Sequence, residues 1–302
     1  MITQIAGNDL GELVQNARAA CRNGPVFNLV LEGRYGMTEF DSSFLRPYVP
    51  SAESWQAPTP GPSHYITHGQ YIHRHGDGIA YLIDQLVHKP TGNRAVLSLI
   101  DMKDLIGSLD TDVRPSFMIF QVGFEEAKKD VIFVTLYFRA LEVSKFLPSN
   151  LAEAGLILKK IRLHIPEIKA VHVVVHAFRA YEKPDSATLL RSELDSVDDA
   201  TISGTVASLE LRRIHAWLRS KMSDETVVET DALVLLRKEV ESNPAFPKDL
   251  AGELEQAIFR LTELATLRRR ASHVDAIADT KELSHQHIRK ALSILEGMPQ
   301  WK

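Results

Sequence analysis

Runs of strand-forming residues alternate with helical segments through the middle of the chain, and this alternation restricts the fold more than any other feature. The β-rich runs cover residues 95–100, 116–122, 131–139 and 170–178. Between and before them, residues 78–86 and 150–161 have apolar side chains at helical spacing. Strands interleaved with long helices predict an α/β or α+β domain.

The strand pattern ends at about residue 199, and only helical patterns follow. One apolar stripe at helical spacing comprises Val206, Leu209, Ile214, Trp217 and Leu218. A second comprises Leu250, Leu254, Ile258, Leu261 and Leu264, and it begins after Pro247. Asp279 and Glu282 have the spacing of a capping box for a final helix through Leu295. We therefore predict a first domain at residues 1–198 and an all-helical C-terminal domain at residues 199–302.

The first 65 residues combine regular and irregular patterns. A helical pattern ends near Gly24, and an apolar run follows at residues 26–31. The segment at residues 47–64 is rich in Pro, Ser and Gly, which predicts a loop without regular structure.

Composition excludes several classes of protein. With 302 residues and 44% hydrophobic residues, the chain is long enough for a conventional core. No apolar run approaches the roughly 18 residues of a membrane span, and the N-terminus does not resemble a signal peptide. The single cysteine, Cys21, fits a reducing cytoplasm. A net charge of -4 gives no general attraction to nucleic acid, and we interpret the Arg268-Arg269-Arg270 triplet as a helix end.

One segment carries an ordered set of polar and proline residues: Pro115, Gln121, Arg139, Pro148 and Asn150. This set resembles the centre of a thymidylate synthase, in which a Pro-Cys-His-x-x-x-x-Gln strand precedes Gln-Arg-Ser-x-Asp-x-x-x-Gly-x-Pro-Phe-Asn. The step of 11 residues from Arg139 to Asn150 is the same. The resemblance implies an α+β class, with the mixed sheet and packed helices of the thymidylate synthase and deoxycytidylate hydroxymethylase superfamily.

Similarity to this superfamily continues on both sides of the central segment, over residues 70–185. Upstream, Asp77, Leu86, Pro90 and Arg94 match a helix and strand of the family. Downstream, the sequence HAFRAYEK resembles the Asp-Ala-His-x-Tyr strand. Tyr181 is kept there, and Arg179 occupies the histidine position. The resemblance also implies a homodimer in which the sheet packs face to face with its copy.

Departures from the family pattern affect the chemistry. Ser116 stands where the family has its nucleophilic cysteine, and Phe117 replaces the histidine that follows. A thiol can be tuned to a thiolate at neutral pH, whereas a serine hydroxyl needs a base beside it, and no local residue supplies one. Glu142 replaces an aspartate near the folate, and the apolar C-terminal tail that covers the folate is absent. We therefore expect no catalytic residue and no folate cofactor.

Phosphate recognition is assigned to two arginines. Arg139 aligns with the family's phosphate-binding arginine, and a guanidinium is a planar donor suited to phosphate. The alternative is a surface arginine at a strand end. By resemblance, Arg94 reaches the phosphate of the partner subunit across the homodimer, and the alternative is a solvated turn residue.

Four further residues are candidates for contact with the base or sugar. Asn150 presents a donor and an acceptor that suit a pyrimidine edge, although it is equally suited to be the N-cap of the helix that follows. Tyr181 is a candidate for the ribose hydroxyl or a packing residue. Gln121 either positions the nucleotide or satisfies the sheet backbone. Arg179 is a candidate only because it occupies the histidine position of the family pattern.

Four histidines lie close together in the sequence, at His64, His68, His73 and His75. Without cysteine, and with Asp77 as the nearby carboxylate, this spacing gives a weak metal signal. We interpret them as surface or pocket-edge histidines and expect no metal.

Three functional hypotheses follow from these patterns. The leading hypothesis is a non-catalytic protein that binds a pyrimidine nucleotide as a sensor or interaction module, with the helical domain available to a protein partner. The second is an enzyme that modifies a pyrimidine nucleotide without a cysteine adduct. The third is a dimeric structural scaffold.

Overall fold

The computed structural model describes residues 2–61, 64–101, 103, 106, 114–125, 128–183, 191–222, 228–270 and 274–301. The side chains of residues 268–270, which form the arginine triplet, and of residues 274–275 lie outside the described part. The described residues form two compact units. The second unit holds residues 61, 64–65 and 191–301, and the first unit holds the others.

The first unit contains both helices and strands. Its strands are β1 (Thr3–Ala6), β2 (Val26–Gly36), β3 (Val96–Ser98), β4 (Phe117–Gly123), β5 (Val131–Phe138), β6 (Leu141–Glu142) and β7 (Ala170–Tyr181). Its helices are α1 (Leu10–Cys21), α2 (Val49–Gln56), α3 (His68–Ile72), α4 (Gly78–His88) and α5 (Phe146–His164), with 3-10 turns at Met37–Asp41 and Arg46–Tyr48.

The strands form one mixed sheet of seven strands with the order β1-β2-β7-β5-β4-β3, and β6 pairs with β7. The pairs β1–β2, β5–β7 and β6–β7 are parallel, whereas β2–β7, β3–β4 and β4–β5 are antiparallel. The predicted α+β class with a mixed sheet and packed helices is therefore confirmed for the described residues. The family assignment stays a prediction.

The two faces of the sheet have different environments. Alternate residues of the central strands are buried in one hydrophobic core together with residues of α1, α4 and α5, among them Val134, Leu136, Val173 and Val175. This alternation is the period of two expected of a strand with one face on the core. The intervening residues keep part of their surface accessible, and we call their side the open face. It includes Glu32, Phe133, Thr135, Tyr137 and His172.

The second unit is built from helices. They are a 3-10 turn at Leu194–Ser196, α6 (Asp199–Ala207), α7 (Leu211–Lys221), α8 (Asp231–Ser242), α9 (Lys248–Arg270), α10 (Val274–Glu296) and a final turn at Pro299–Trp301. Leu194 is buried in the same core as Trp217, so this unit begins ahead of residue 199, where the sequence placed the boundary. None of the described helices is long and apolar enough to cross a membrane.

Proline explains one error in the sequence analysis. The segment predicted to be a loop contains α2, with a proline in its first turn, and the preceding 3-10 turn has a proline as its second residue. A proline at the first turn of a helix removes an N–H that has no partner in any case, so it starts a helix rather than breaking it. Burial of Ala52 and Trp55 then stabilises α2.

Two predictions about the helical region were also wrong. The first apolar stripe belongs to two helices, α6 and α7, because the backbone turns at Leu209, which has a φ of 54°. Asp279 does not cap the last helix, which already begins at Val274 and places Asp279 in its interior. Apolar spacing continued through both positions, and it gave no indication of these boundaries.

Candidate functional site

Four of the predicted site residues lie together where β5 and β7 end. Arg139 follows β5, and its backbone N–H donates to the carbonyl of Ser116 at 3.0 Å. Its guanidinium donates to the carbonyls of Pro115 (3.3 Å) and Arg114 (3.1 Å). The guanidinium of Arg179 lies 5.7 Å from the ring centre of Tyr181. The structure therefore brings two arginines, one serine and one tyrosine to the same edge of the sheet.

Electrostatics also connect Arg139 with Tyr181. Desolvation lowers the pKa of Arg139 below its ordinary value, and Tyr181 acts in the opposite direction. A guanidinium stays protonated in proteins, so Arg139 is a permanent cation, and the residue is exposed to solvent. The two carbonyl contacts use two of its five N–H donors, and among the described residues the other three have no partner. Those three donors are therefore available to an anion.

Asn150 is the fifth residue of α5 and is only 6% exposed. The N-cap position belongs to Lys145, so the interpretation of Asn150 as an N-cap is wrong. Within the described part of the chain, its side-chain amide forms no hydrogen bond. The amide atoms are not among the fully enclosed polar atoms without a partner, so they keep some contact with solvent and can form hydrogen bonds there.

Glu142 caps α5 in place of an N-cap side chain. Its carboxylate accepts hydrogen bonds from the backbone N–H groups of Ser144 (2.9 Å), Lys145 (2.7 Å) and Phe146 (3.2 Å), and also from the Ser144 hydroxyl. The N–H of Lys183 donates to it at 3.0 Å. At 2% exposure, Glu142 is occupied by the backbone and stabilises the helix start. The sequence analysis missed this role because the residue lies outside the helix.

Arg94 precedes β3, and Gln121 lies in β4. The side chain of Arg94 is exposed and forms no hydrogen bond to a described residue. Gln121 lies on the open face, where its amide donates to the carbonyl of Asn93 at 3.2 Å. It lines a cavity of about 450 Å³ with Thr135 and Phe133. The role predicted for Arg94 requires a second chain, and the roles predicted for both residues stay predictions.

Neither Ser116 nor Cys21 has the environment of a nucleophile. Ser116 is partly buried, and its hydroxyl has no hydrogen-bonded base among the described residues. Cys21 lies in α1, where burial, followed by the negative charge of Glu182, raises the pKa of its thiol to about 11. A thiol with this pKa is protonated at neutral pH, so it supplies no thiolate.

The four clustered histidines have different environments. His68 is 6% exposed and pairs with Glu153 of α5, so its interpretation as a surface or pocket-edge histidine is wrong. His73 lies 3.6 Å from Asp77, and burial lowers the pKa of His64. Among the described residues, no three His, Cys, Asp or Glu side chains converge on a metal position.

Comparison with known proteins identified no similar family or curated protein. No family model matches the chain, and no curated protein gives a significant match.

Proposed function

We propose that this protein binds a pyrimidine nucleotide without covalent catalysis and acts as a sensor or interaction module. The observation that supports this proposal best is the side chain of Asn150, which is 6% exposed and forms no hydrogen bond to a described residue. An amide offers a donor and an acceptor in one plane, and the edge of a pyrimidine requires this pair. Arg139, with three unused donors, is the proposed phosphate contact.

Thermal unfolding with and without nucleoside monophosphates tests the proposal. At a ligand concentration one hundred times Kd, a ligand that binds the folded state alone stabilises it by about 2.7 kcal/mol. Arg139→Ala should reduce the shift to about half or less at the same ligand concentration, because loss of a charge-assisted contact costs about 1.5–3 kcal/mol of binding, or at least about tenfold in affinity. Asn150→Ala should reduce discrimination between bases and leave phosphate binding intact.

Arg162→Ala is a suitable control, because Arg162 is exposed in the last turn of α5. It removes the same charge from the same unit and should bind like the parent. If the parent binds no nucleotide, or if Arg139→Ala and Asn150→Ala both bind like the parent, the scaffold hypothesis replaces this proposal.

A second prediction concerns catalysis. Incubation with deoxyuridylate and methylenetetrahydrofolate should release no dihydrofolate, because Ser116 lacks a hydrogen-bonded base among the described residues and Cys21 holds its proton. Ser116→Cys should not restore turnover, since Phe117 still occupies the histidine position of the family pattern. Turnover by the parent protein, measured as dihydrofolate absorbance, would support the enzyme hypothesis instead.

The open face is the proposed homodimer interface. This face carries both charged and aromatic side chains. Nε2 of His172 lies 2.9 Å from a carboxylate oxygen of Glu32, and the ring centres of His172 and Phe133 are 5.1 Å apart. Light scattering at micromolar concentration should report a dimer. Thr135→Arg places a charge on an exposed position of the central strand β5 and should give a monomer, whereas Glu167→Arg, at an exposed turn, should not. A monomeric parent would remove the shared role of Arg94.

A further inference from the structure

Helix α4 has two apolar seams, each with the spacing i, i+3, i+7 of one helix face. The first seam is buried in the core of its own unit and comprises Ile79, Leu82 and Leu86. The second seam comprises Ala80, Ile83 and Val87. Each of its members follows a member of the first by one residue, so the second seam is rotated from the first by about 100° around the helix axis. The helix therefore carries an apolar face beyond the one that its own core uses.

The second seam lines a groove between α4 and α5. Ala80 is exposed, Ile83 packs partly against the core, and Val87 is 44% exposed. Leu163, in the last turn of α5, is 82% exposed and lines the same groove, which has a volume of about 580 Å³. Exposed apolar side chains that share one groove mark an interaction site, because their burial against a partner is favourable.

The groove has an acidic wall and a basic wall. Asp77 and Asp84 lie seven residues apart on α4, and their side chains are 62% and 57% exposed. Each of them contacts a nearby histidine in the sequence: Nδ1 of His73 lies 3.6 Å from Asp77, and Nδ1 of His88 lies 3.1 Å from Asp84. On α5, Lys160 is exposed, lines the groove and forms no ion pair with a described residue. The two walls therefore carry opposite charges that are not paired across the groove.

The dimensions of the groove fit a helix. From Ala80 to Val87 the second seam extends about 10 Å along α4, which is two helical turns. A helix with apolar residues at heptad spacing presents side chains with the same repeat, and it can pack between α4 and Leu163. A small apolar molecule is usually enclosed on most sides, whereas Leu163 and Val87 leave this groove open along its length.

We propose that the groove between α4 and α5 binds an amphipathic helix of a partner protein. The partner helix has apolar residues at heptad spacing, basic residues on the edge that faces Asp77 and Asp84, and acidic residues on the edge that faces Lys160. The two charged walls select this orientation, because like charges placed opposite each other cost free energy. This inference does not depend on nucleotide binding.

Fluorescence anisotropy of a labelled synthetic peptide, titrated with the full-length protein, tests the proposal. The peptide has about 20 residues, with leucine at the a and d positions, glutamate along one edge and lysine along the other. The parent should bind it at least about tenfold more tightly than a peptide of the same composition in scrambled order.

Substitutions at exposed positions locate the binding site. Leu163→Asp and Val87→Asp should each weaken binding about tenfold or more, because each places a charge in the apolar groove. Both side chains are largely outside the core, so the fold should be retained. Phe259→Asp changes an apolar residue of the helical unit that is 58% exposed, and it should bind the peptide like the parent.

A charge reversal tests the orientation. Lys160→Glu should weaken binding of the peptide about two- to fivefold at low salt, which is the range of an exposed ion pair. A second peptide, in which lysine replaces the glutamates, should bind Lys160→Glu more tightly than the parent. Equal preference of both peptides for the parent overturns the assigned orientation.

Light scattering separates a partner helix from a second copy of this chain. Leu163→Asp and Val87→Asp should leave the mass of the parent unchanged. A lower mass in these variants would show that a second copy occupies the groove, and it would overturn the proposal. The proposal also fails if neither peptide binds, if the ordered and scrambled peptides bind equally, or if Phe259→Asp loses as much affinity as Leu163→Asp.

Discussion

Replacement of Lys221 by methionine should lower the free energy of unfolding of the helical unit by about 3–5 kcal/mol. The Lys221 ammonium lies 2.6 Å from Oδ2 of Asp195, with 0% and 1% of the two side chains exposed. It also donates to the carbonyl of Glu229 at 2.8 Å. Methionine fills a similar volume, so the loss is electrostatic: the Asp195 carboxylate would remain buried without its cation. The hydroxyl of Ser192, at 2.6 Å, is too weak a partner to replace it.

Urea unfolding measures the effect when it is followed by tryptophan emission in a Trp55→Phe background, in which Trp301 and the fully buried Trp217 report on this unit. Lys238→Met removes an exposed charge from α8 and should change stability by less than about 0.5 kcal/mol. The double variant Lys221→Met with Asp195→Leu should recover most of the loss, because an apolar pair in place of a buried ion pair is often nearly neutral. A single variant as stable as the Lys238→Met control would contradict the argument.

Glu142→Ala should destabilise the first unit by about 3–5 kcal/mol, since several backbone donors at the start of α5 would lose a charged acceptor at once. Those N–H groups belong to the turn that precedes Asn150, and no N-cap side chain replaces the carboxylate. Hydrogen exchange at the amides of Lys145 and Phe146 should accelerate together with the fall in global stability.

Two comparisons isolate this effect. Glu142→Gln keeps one acceptor oxygen and should give an intermediate loss. Glu167→Ala removes an exposed carboxylate and should have little effect. If the amides of Lys145 and Phe146 exchange at the parental rate in Glu142→Ala, the carboxylate does not cap α5 in solution.

The interior strands were predictable because burial and sequence agree in them. Val131–Phe138 and Ala170–Tyr181 follow the predicted runs within a few residues, since β-branched and aromatic side chains fill positions on the core. The edge strand Thr3–Ala6 was missed, because four residues of mixed polarity carry no periodic signal. The order of the strands depends on contacts between distant segments, which periodicity does not encode.

The candidate site was predictable only where a linear motif carried it. Arg139 and Asn150 were selected from one short segment, and the structure gives each of them unused donors or acceptors among the described residues. The His68–Glu153 pair joins residues 85 positions apart, and the Glu142–Lys183 contact joins residues 41 apart. Neither pair has a local pattern, because each exists only after the sheet and α5 have packed.

On α5, the residue that stabilises the helix start and the residue proposed to contact a ligand are different residues. Glu142 holds the helix start whether or not a ligand is present, whereas the amide of Asn150 contributes no hydrogen bond to the described fold. Under the proposed function, a lineage that no longer needed the ligand would tolerate residues of similar size at position 150 at little cost to folding, and would remain unable to replace Glu142. Loss of recognition and loss of the fold are therefore independent events in the history of such a chain.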